Sequence, residues 1–212
     1  MSGAGDKLLY RACKRAFDIV FSLCVIAVLL VPGALLGAAI ALESPGGAMF
    51  RQSRVGKGGR EIRIFKFRSM YADAHDHPER YLTDAQMAQW RREQKVDGDP
   101  RVTRIGRAIR RLSVDEFPQF INVLAGDMSV IGPRPVTLEE TWEFGDARDE
   151  VLSVRPGITG LWQVTARNDA TWESGERQAL ELEYVRNRGF AMDARVFVGT
   201  FGAMFGKGKK GR

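Results

Sequence analysis

A chain of 212 residues, 44% hydrophobic and 27% charged, fits one modest globular unit plus an anchor. Its 32 Lys and Arg against 26 acids, a net charge of +6 and a pI near 9.6, suit nucleic acid, acidic membrane or phosphorylated substrate without choosing among them. Its two cysteines, Cys13 and Cys24, lie near or inside an apolar segment, so no disulfide framework is indicated and a reducing, cytoplasm-facing domain is the default.

Residues 1–18 are polar and basic, with Lys7, Arg11, Lys14 and Arg15. Ile19 to Leu42 then contains no charged residue, and 24 residues reach about 36 Å as a straight helix, enough to cross a bilayer core. The run is long for the apolar part of a signal peptide, which leaves a spanning helix or a re-entrant one. Pro32-Gly33 lies mid-segment, where proline removes the bond to the Val28 carbonyl and costs about 3 kcal/mol in a straight helix. Both flanks are basic, with Arg51, Arg54, Lys57 and Arg60 following. The positive-inside tendency then keeps both ends on the cytoplasmic side, with a membrane bend at Pro32.

Ser44-Pro45-Gly46-Gly47 marks the exit from this segment. Two strand-like runs, 48–55 and 61–68, flank Gly56-Lys57-Gly58-Gly59 and read as a hairpin; the glycines lack the spacing of a phosphate loop. The two-residue period puts Ile62, Ile64, Lys66 and Arg68 on one face, with the two cations about 7 Å apart, either a protected edge or an anion contact. Residues 71–99 read as a surface insertion, helical around 84–95; His75 and His77 lack further metal-ligand spacing. Thr103 to Leu112 reads as a helix with Ile105, Ile109 and Leu112 towards the core and Arg104, Arg107 and Arg111 on another face, Arg110 nearby.

The chain is organised around 113–135, SVDEFPQFINVLAGDMSVIGPRP. Ser113 and Glu116 have capping-box spacing, but Pro118 complicates that register and favours Asp115 as the cap. Either way Asp115 is expected at the positive end of a helix through Phe120 and Leu124, which holds it ionised and attracts phosphate. Beside a phosphoanhydride such an Asp is a candidate nucleophile. Asp115 and Glu116 repel each other, so a cation or a hard metal such as Mg²⁺, held by both, is expected between them. Arg134 sits between Pro133 and Pro135, whose fixed φ stiffens a phosphate-binding guanidinium or, equally, a surface turn. Residues 137–154 and 172–187 look helical. Trp162 reads as core or as a stacking surface. The tail, with Phe197, Phe201, Met204 and Phe205 before Lys207, Lys209, Lys210 and Arg212, suits an interfacial contact or a core-packed terminal helix.

Four phrases, KFRSM (66–70), SVDEFPQ (113–119), GDMSVIGPRP (126–135) and RPGITGLWQV (155–164), in this order resemble the bacterial sugar transferase family, small monotopic phosphoglycosyl transferases. The likeness runs from about Lys14 to Asp193. It implies an α+β fold: a mainly helical membrane-associated domain with a small β-hairpin and an N-terminal re-entrant membrane helix. The corresponding division is 1–47 for the basic flank and membrane helix and 48–212 for a cytoplasm-facing catalytic domain with interfacial helices. It also implies hexose-1-phosphate transfer from a UDP-sugar to polyprenyl (undecaprenyl) phosphate at the bacterial inner membrane, with UMP released and a glycan begun. On this reading Asp115 and Glu116 are catalytic and hold Mg²⁺, and Lys66, Arg68, Arg110, Arg111, Arg134 and Arg167 bind phosphate. Partners are the two substrates and membrane lipids, not nucleic acid, with homodimerisation left open. Val31 stands where the family often has Ser before the proline, and Ala166 where it often has Gly. The alternative from another class is a non-enzymatic membrane-tethered basic module binding nucleic acid or a protein; a nucleic-acid face gains nothing from central carboxylates.

Overall fold

The computed structural model describes residues 4–93, 96, 98–166 and 170–205. Helix α1, Ala4–Glu43, is helical through Pro32, so the expected bend does not interrupt it. It is the one described helix long and apolar enough to cross a membrane. Leu23, Val28, Leu30, Val31, Leu35 and Leu42 are exposed along it. Its other face packs on the body: Phe21, Val25 and Ile26 join the core, while Gly33 and Gly37 face Phe67 and Ala48. Asp18, buried at the end of the basic flank, accepts from Ser129 Oγ at 3.0 Å and Val130 N at 2.9 Å.

The hairpin forms as expected, β1 (Met49–Val55) antiparallel to β2 (Glu61–Phe67), with Lys66 opposite Phe50. Helix α2 (Asp84–Glu93) lies in the insertion, and α3 (Arg104–Leu112) is capped by the Thr103 hydroxyl, which accepts from Gly106 N. Gly106 allows α3 to press on the loop after β2: a Cβ there would stand 2.0 Å from the Ser69 carbonyl oxygen. Ile109 is buried as its spacing predicts, but Leu112 is 58% exposed, because α3 ends there and Ser113 turns the chain away.

Helix α4 (Gln119–Ala125) carries the buried Asn122, whose amide oxygen accepts from Phe65 N at 2.9 Å and whose amide nitrogen donates to the Arg63 carbonyl at 2.8 Å. One side chain thus pins α4 to β2 one residue before Lys66. A second pair, unseen from the sequence, is parallel: β3 (Ser129–Ile131) beside β4 (Gly157–Thr159). The region expected to be one helix over 137–154 is a 3₁₀ stretch, Glu140–Ala147, with Gly145 at φ 50°, followed by the short α5, Arg148–Val151. Helices α6 (Leu161–Thr165), α7 (Glu176–Asn187) and α8 (Phe190–Phe205) complete the body. The architecture is α+β, mainly helical, with a long apolar N-terminal helix.

Candidate active site

Asp115 and Glu116 do not start α4. They occupy a separate 3₁₀ turn, Val114–Glu116, between α3 and α4. Ser113 takes φ 55°, the only positive φ of a non-glycine among the described residues, and closes α3 by donating its N–H to the Arg110 and Ile109 carbonyls. That left-handed residue prevents the capping-box conformation. Pro118 is the cap of α4 and offers no side-chain acceptor, which leaves the carboxylates outside the helix end. The expected electrostatics change accordingly. Burial first, and then the adjacent Glu116, push the Asp115 carboxyl above the ordinary aspartate range, with Lys66 and Arg110 pulling the other way.

Three segments converge on this turn. From β2, Lys66 Nζ stands 3.4 Å from Glu116 Oε1, and burial lowers its pKa against the pull of that carboxylate. From the loop after β3, Arg134 Nη1 stands 3.8 Å from the same oxygen. From α3, Arg110 is held by an Nε bond of 2.8 Å to Ser69 Oγ, and its charge acts on Asp115. The close contact at Gly106 fixes that register.

Arg134 is built from both sides. Its backbone N–H donates to the two carboxylate oxygens of Glu181 at 3.3 and 3.2 Å, and its guanidinium lies 5.7 Å from the Trp162 ring centre. Pro133 and Pro135 are buried beside it. Glu181, 1% exposed, has its pKa pushed up to about 7 by burial, with Arg134 N–H and Arg177 opposing.

The sequence did not single out the flanking group Arg54, Glu140, Arg177, Glu181, Ser69 and Trp172. Arg54 and Arg177 approach opposite oxygens of Glu140, each at 3.6 Å, and Arg177 lies 4.5 and 3.9 Å from the Trp162 and Trp172 ring centres. Trp162 is a core residue whose face also carries two guanidinium groups. The signal available in the sequence was at most Arg54 beside Val55 at the end of a strand; Glu140 and Arg177 carried none, being ordinary members of charged stretches.

Two other expected phosphate ligands lie elsewhere. Arg68 is 6% exposed and donates to the carbonyls of Ile40, Ser44, Pro45, Gly46 and Gly47 and to Ser44 Oγ at 2.7–3.4 Å. It shares a strand face with Lys66, but its donors close the end of α1, because helix-terminal carbonyls there are otherwise unpaired. Arg111 is exposed and makes no ion pair with Asp115 or Glu116 among the described contacts. Arg167 lies outside the described residues. Among the described residues no group of three or more His, Cys, Asp and Glu is arranged to hold a metal unaided; His77 instead stands 3.1 Å from Glu79. Two adjacent carboxylates do suit Mg²⁺, which takes one or two of them plus substrate phosphate oxygens.

A carboxylate pair ringed by cations from separated segments, beside an apolar helix, defines an anion-handling site on a membrane-associated body. The chain belongs to the bacterial sugar transferase family, whose profile matches residues 9–207. It is 41% identical over 203 residues to the UDP-N-acetylgalactosamine-undecaprenyl-phosphate N-acetylgalactosaminephosphotransferase of Aeromonas hydrophila, covering 91% of this chain and 43% of that protein. It is 39% identical over 184 residues to the undecaprenyl-phosphate galactose phosphotransferase of Salmonella typhimurium, covering 84% of this chain and 37% of that protein. The exopolysaccharide production protein ExoY of Rhizobium meliloti is 36% identical over 194 residues, 90% of this chain and 84% of its own length. The chain thus spans less than half the length of the larger curated relatives.

Proposed function

We propose that this chain transfers a hexose-1-phosphate from a UDP-sugar to a polyprenyl phosphate such as undecaprenyl phosphate, beginning a surface polysaccharide or other glycan. The observation that carries the reading is the convergence of Lys66, Arg110 and Arg134 on Asp115 and Glu116. Family membership and the relatives' names, which pair a UDP-sugar or a galactose with undecaprenyl phosphate, support it.

In the proposed first step an Asp115 carboxylate oxygen attacks the β-phosphorus of the UDP-sugar. The bond from that phosphorus to the α–β bridging oxygen breaks, and UMP leaves with the oxygen and its electron pair. In the second step an oxygen of polyprenyl phosphate attacks the phosphorus of the aspartyl phosphosugar, the bond to Asp115 breaks, and the carboxylate is regenerated. Burial makes Asp115 basic, which favours nucleophilicity once it is ionised, and the positive charges of Lys66 and Arg110 favour that ionised form. Lys66 and Arg134 hold Glu116 in place and, with Arg110, present positive charge to the phosphate oxygens. Asp115 and Glu116 are the residues that would hold Mg²⁺, which when bound neutralises diphosphate charge.

The exposed apolar face of α1 supports a position at a bilayer, where two substrates of opposite solubility can meet. We place both flanks of α1 on the cytoplasmic side.

The test is intact-protein mass after brief incubation with UDP-sugars and Mg²⁺ but no lipid acceptor. A sugar-phosphate adduct with stoichiometric UMP is expected on the parent protein and neither on Asp115→Asn. UMP appearing only once polyprenyl phosphate is present, with no adduct, replaces the two-step route by direct attack of the lipid phosphate. A panel of UDP-sugars in the same assay identifies the sugar.

A further inference from the structure

A second cleft lies away from the carboxylate pair, where the N-terminal end of α1 meets the β1–β2 turn, the segment 153–155 and the α7–α8 junction. It has about 150 Å³ of free volume and is lined by Arg11, Lys14, Arg15, Lys57, Arg155 and Arg188. Asp18 is the only carboxylate in this lining, and it accepts from Ser129 and Val130. Asp193, behind it, receives Tyr10, Lys14 and Tyr184.

Of the six cations only Lys14 is ion-paired among the described residues, at 2.8 Å to Asp193. Arg15 donates to the Val123 and Leu124 carbonyls, Arg155 to that of Gly126 and Arg188 to that of Val185. Those neutral acceptors orient the guanidinium groups without cancelling their charge. Arg11 and Lys57 are exposed at the mouth. Like charges from separate segments lining one recess repel one another, and an anion between them relieves that repulsion.

Size and position narrow the ligand. The free volume is below the roughly 300–1,000 Å³ of sites that enclose a whole small molecule and matches a single phosphate group better than a whole sugar nucleotide. Arg11, Lys14 and Arg15 stand within about two turns of Ile19, where the apolar run of α1 begins. A cleft at that level meets the phosphates of a lipid surface.

We propose that this cleft binds one phosphate group, supplied by an anionic phospholipid headgroup or by a free phosphate at the membrane surface. None of its lining residues belongs to the carboxylate site, so the proposal stands or falls apart from the transferase reading.

The experiment is calorimetric titration of the full chain in neutral detergent. The probes are dihexanoyl phosphatidylglycerol below its micellar concentration, dihexanoyl phosphatidylcholine, and inorganic phosphate. Phosphatidylglycerol or phosphate is expected to bind saturably, more weakly at high salt, and about tenfold or more weakly in the double variant Arg11→Gln/Lys57→Gln. Arg188→Gln carries the same expectation, and Arg134→Ala is expected to bind like the parent. Saturation by phosphatidylglycerol alone assigns the lipid source, and equal saturation by phosphate assigns the free anion. The proposal is overturned if neither anion binds saturably, if phosphatidylcholine binds as well as phosphatidylglycerol, or if Arg134→Ala rather than the cleft variants abolishes binding.

Discussion

Arg134 is gripped at its backbone by Glu181 and along its guanidinium by Trp162, so its fork reaches the carboxylate pair from a fixed base. A lysine keeps the charge but loses the planar donors and the stacking surface. Arg134→Lys is therefore expected to lower kcat/KM by on the order of a hundredfold, with the protein folded. Near-parent turnover would show that charge alone suffices there. Glu181 makes a separate, pH-dependent contribution. Its carboxyl, near 4.5 in an unfolded chain and about 7 here, keeps in the folded state a proton that the unfolded state has released between those values. Stability from this group is thus full below about pH 4.5, falls as pH rises through about 7 and is level above. Thermal unfolding of the parent and Glu181→Gln at pH 5 and pH 8 checks the sign: the parent should lose more stability across the interval. A larger loss in the glutamine variant contradicts it.

At the scale of elements, the end of α1 depends on β2. Arg68 satisfies five carbonyls from Ile40 to Gly47 with one guanidinium, and Glu43 at the same end accepts from Ile105 N at 2.9 Å. Arg68→Ala removes this partner from all five carbonyls, those of Ile40 and Ser44 belonging to buried residues, and is expected to destabilise the fold by on the order of 3 kcal/mol. Arg68→Lys, with three donors, should recover part of it. Unfolding measured in one detergent separates the two; if both variants match the parent, the cap is not structural. The same strand face that carries Lys66 into the site thus carries Arg68 into a helix cap. Strand alternation predicted the shared face, but the partner on that face was set by where α1 ends. In the α3–α4 junction the acidic pair was legible and its backbone was not. Ser113 adopts a conformation ordinarily left to glycine or asparagine, which no local preference of serine announces.

At the scale of the whole molecule, one body holds α1 at both ends. Lys14, Arg15 and Asp18 contact it near the first, and Ile40 and Glu43 near the second. A straight helix of 40 residues is about 60 Å long, twice a hydrocarbon core. Threading a body that carries these charges through the bilayer between its two grips is costly, and this motivates the expectation that both flanks of α1 lie on one side. Gly5→Cys and Arg60→Cys, each introduced after Cys13 and Cys24 are replaced by Ser, are therefore expected to label from the same side with an impermeant reagent. Labelling from opposite sides would establish a spanning helix.

The sequence by itself determined the apolar helix, the hairpin with Lys66 on the face of Ile62 and Ile64, the acidic pair and the stiff Pro-Arg-Pro loop. Each is written in local pattern: an uncharged run, a two-residue period, a fixed φ. Tertiary structure decided which of the many arginines meet the carboxylates, since Arg110, Arg111 and Arg68 look alike in one dimension. It also decided that Asp115 lies half-buried in a separate turn, where burial and Glu116 push its carboxyl upward, rather than at the cap of a helix. The Glu181 brace, the Arg54–Glu140–Arg177 group and the parallel β3–β4 pair were invisible for one reason: each joins residues far apart in the chain, and burial and charge become physical quantities only once those residues meet.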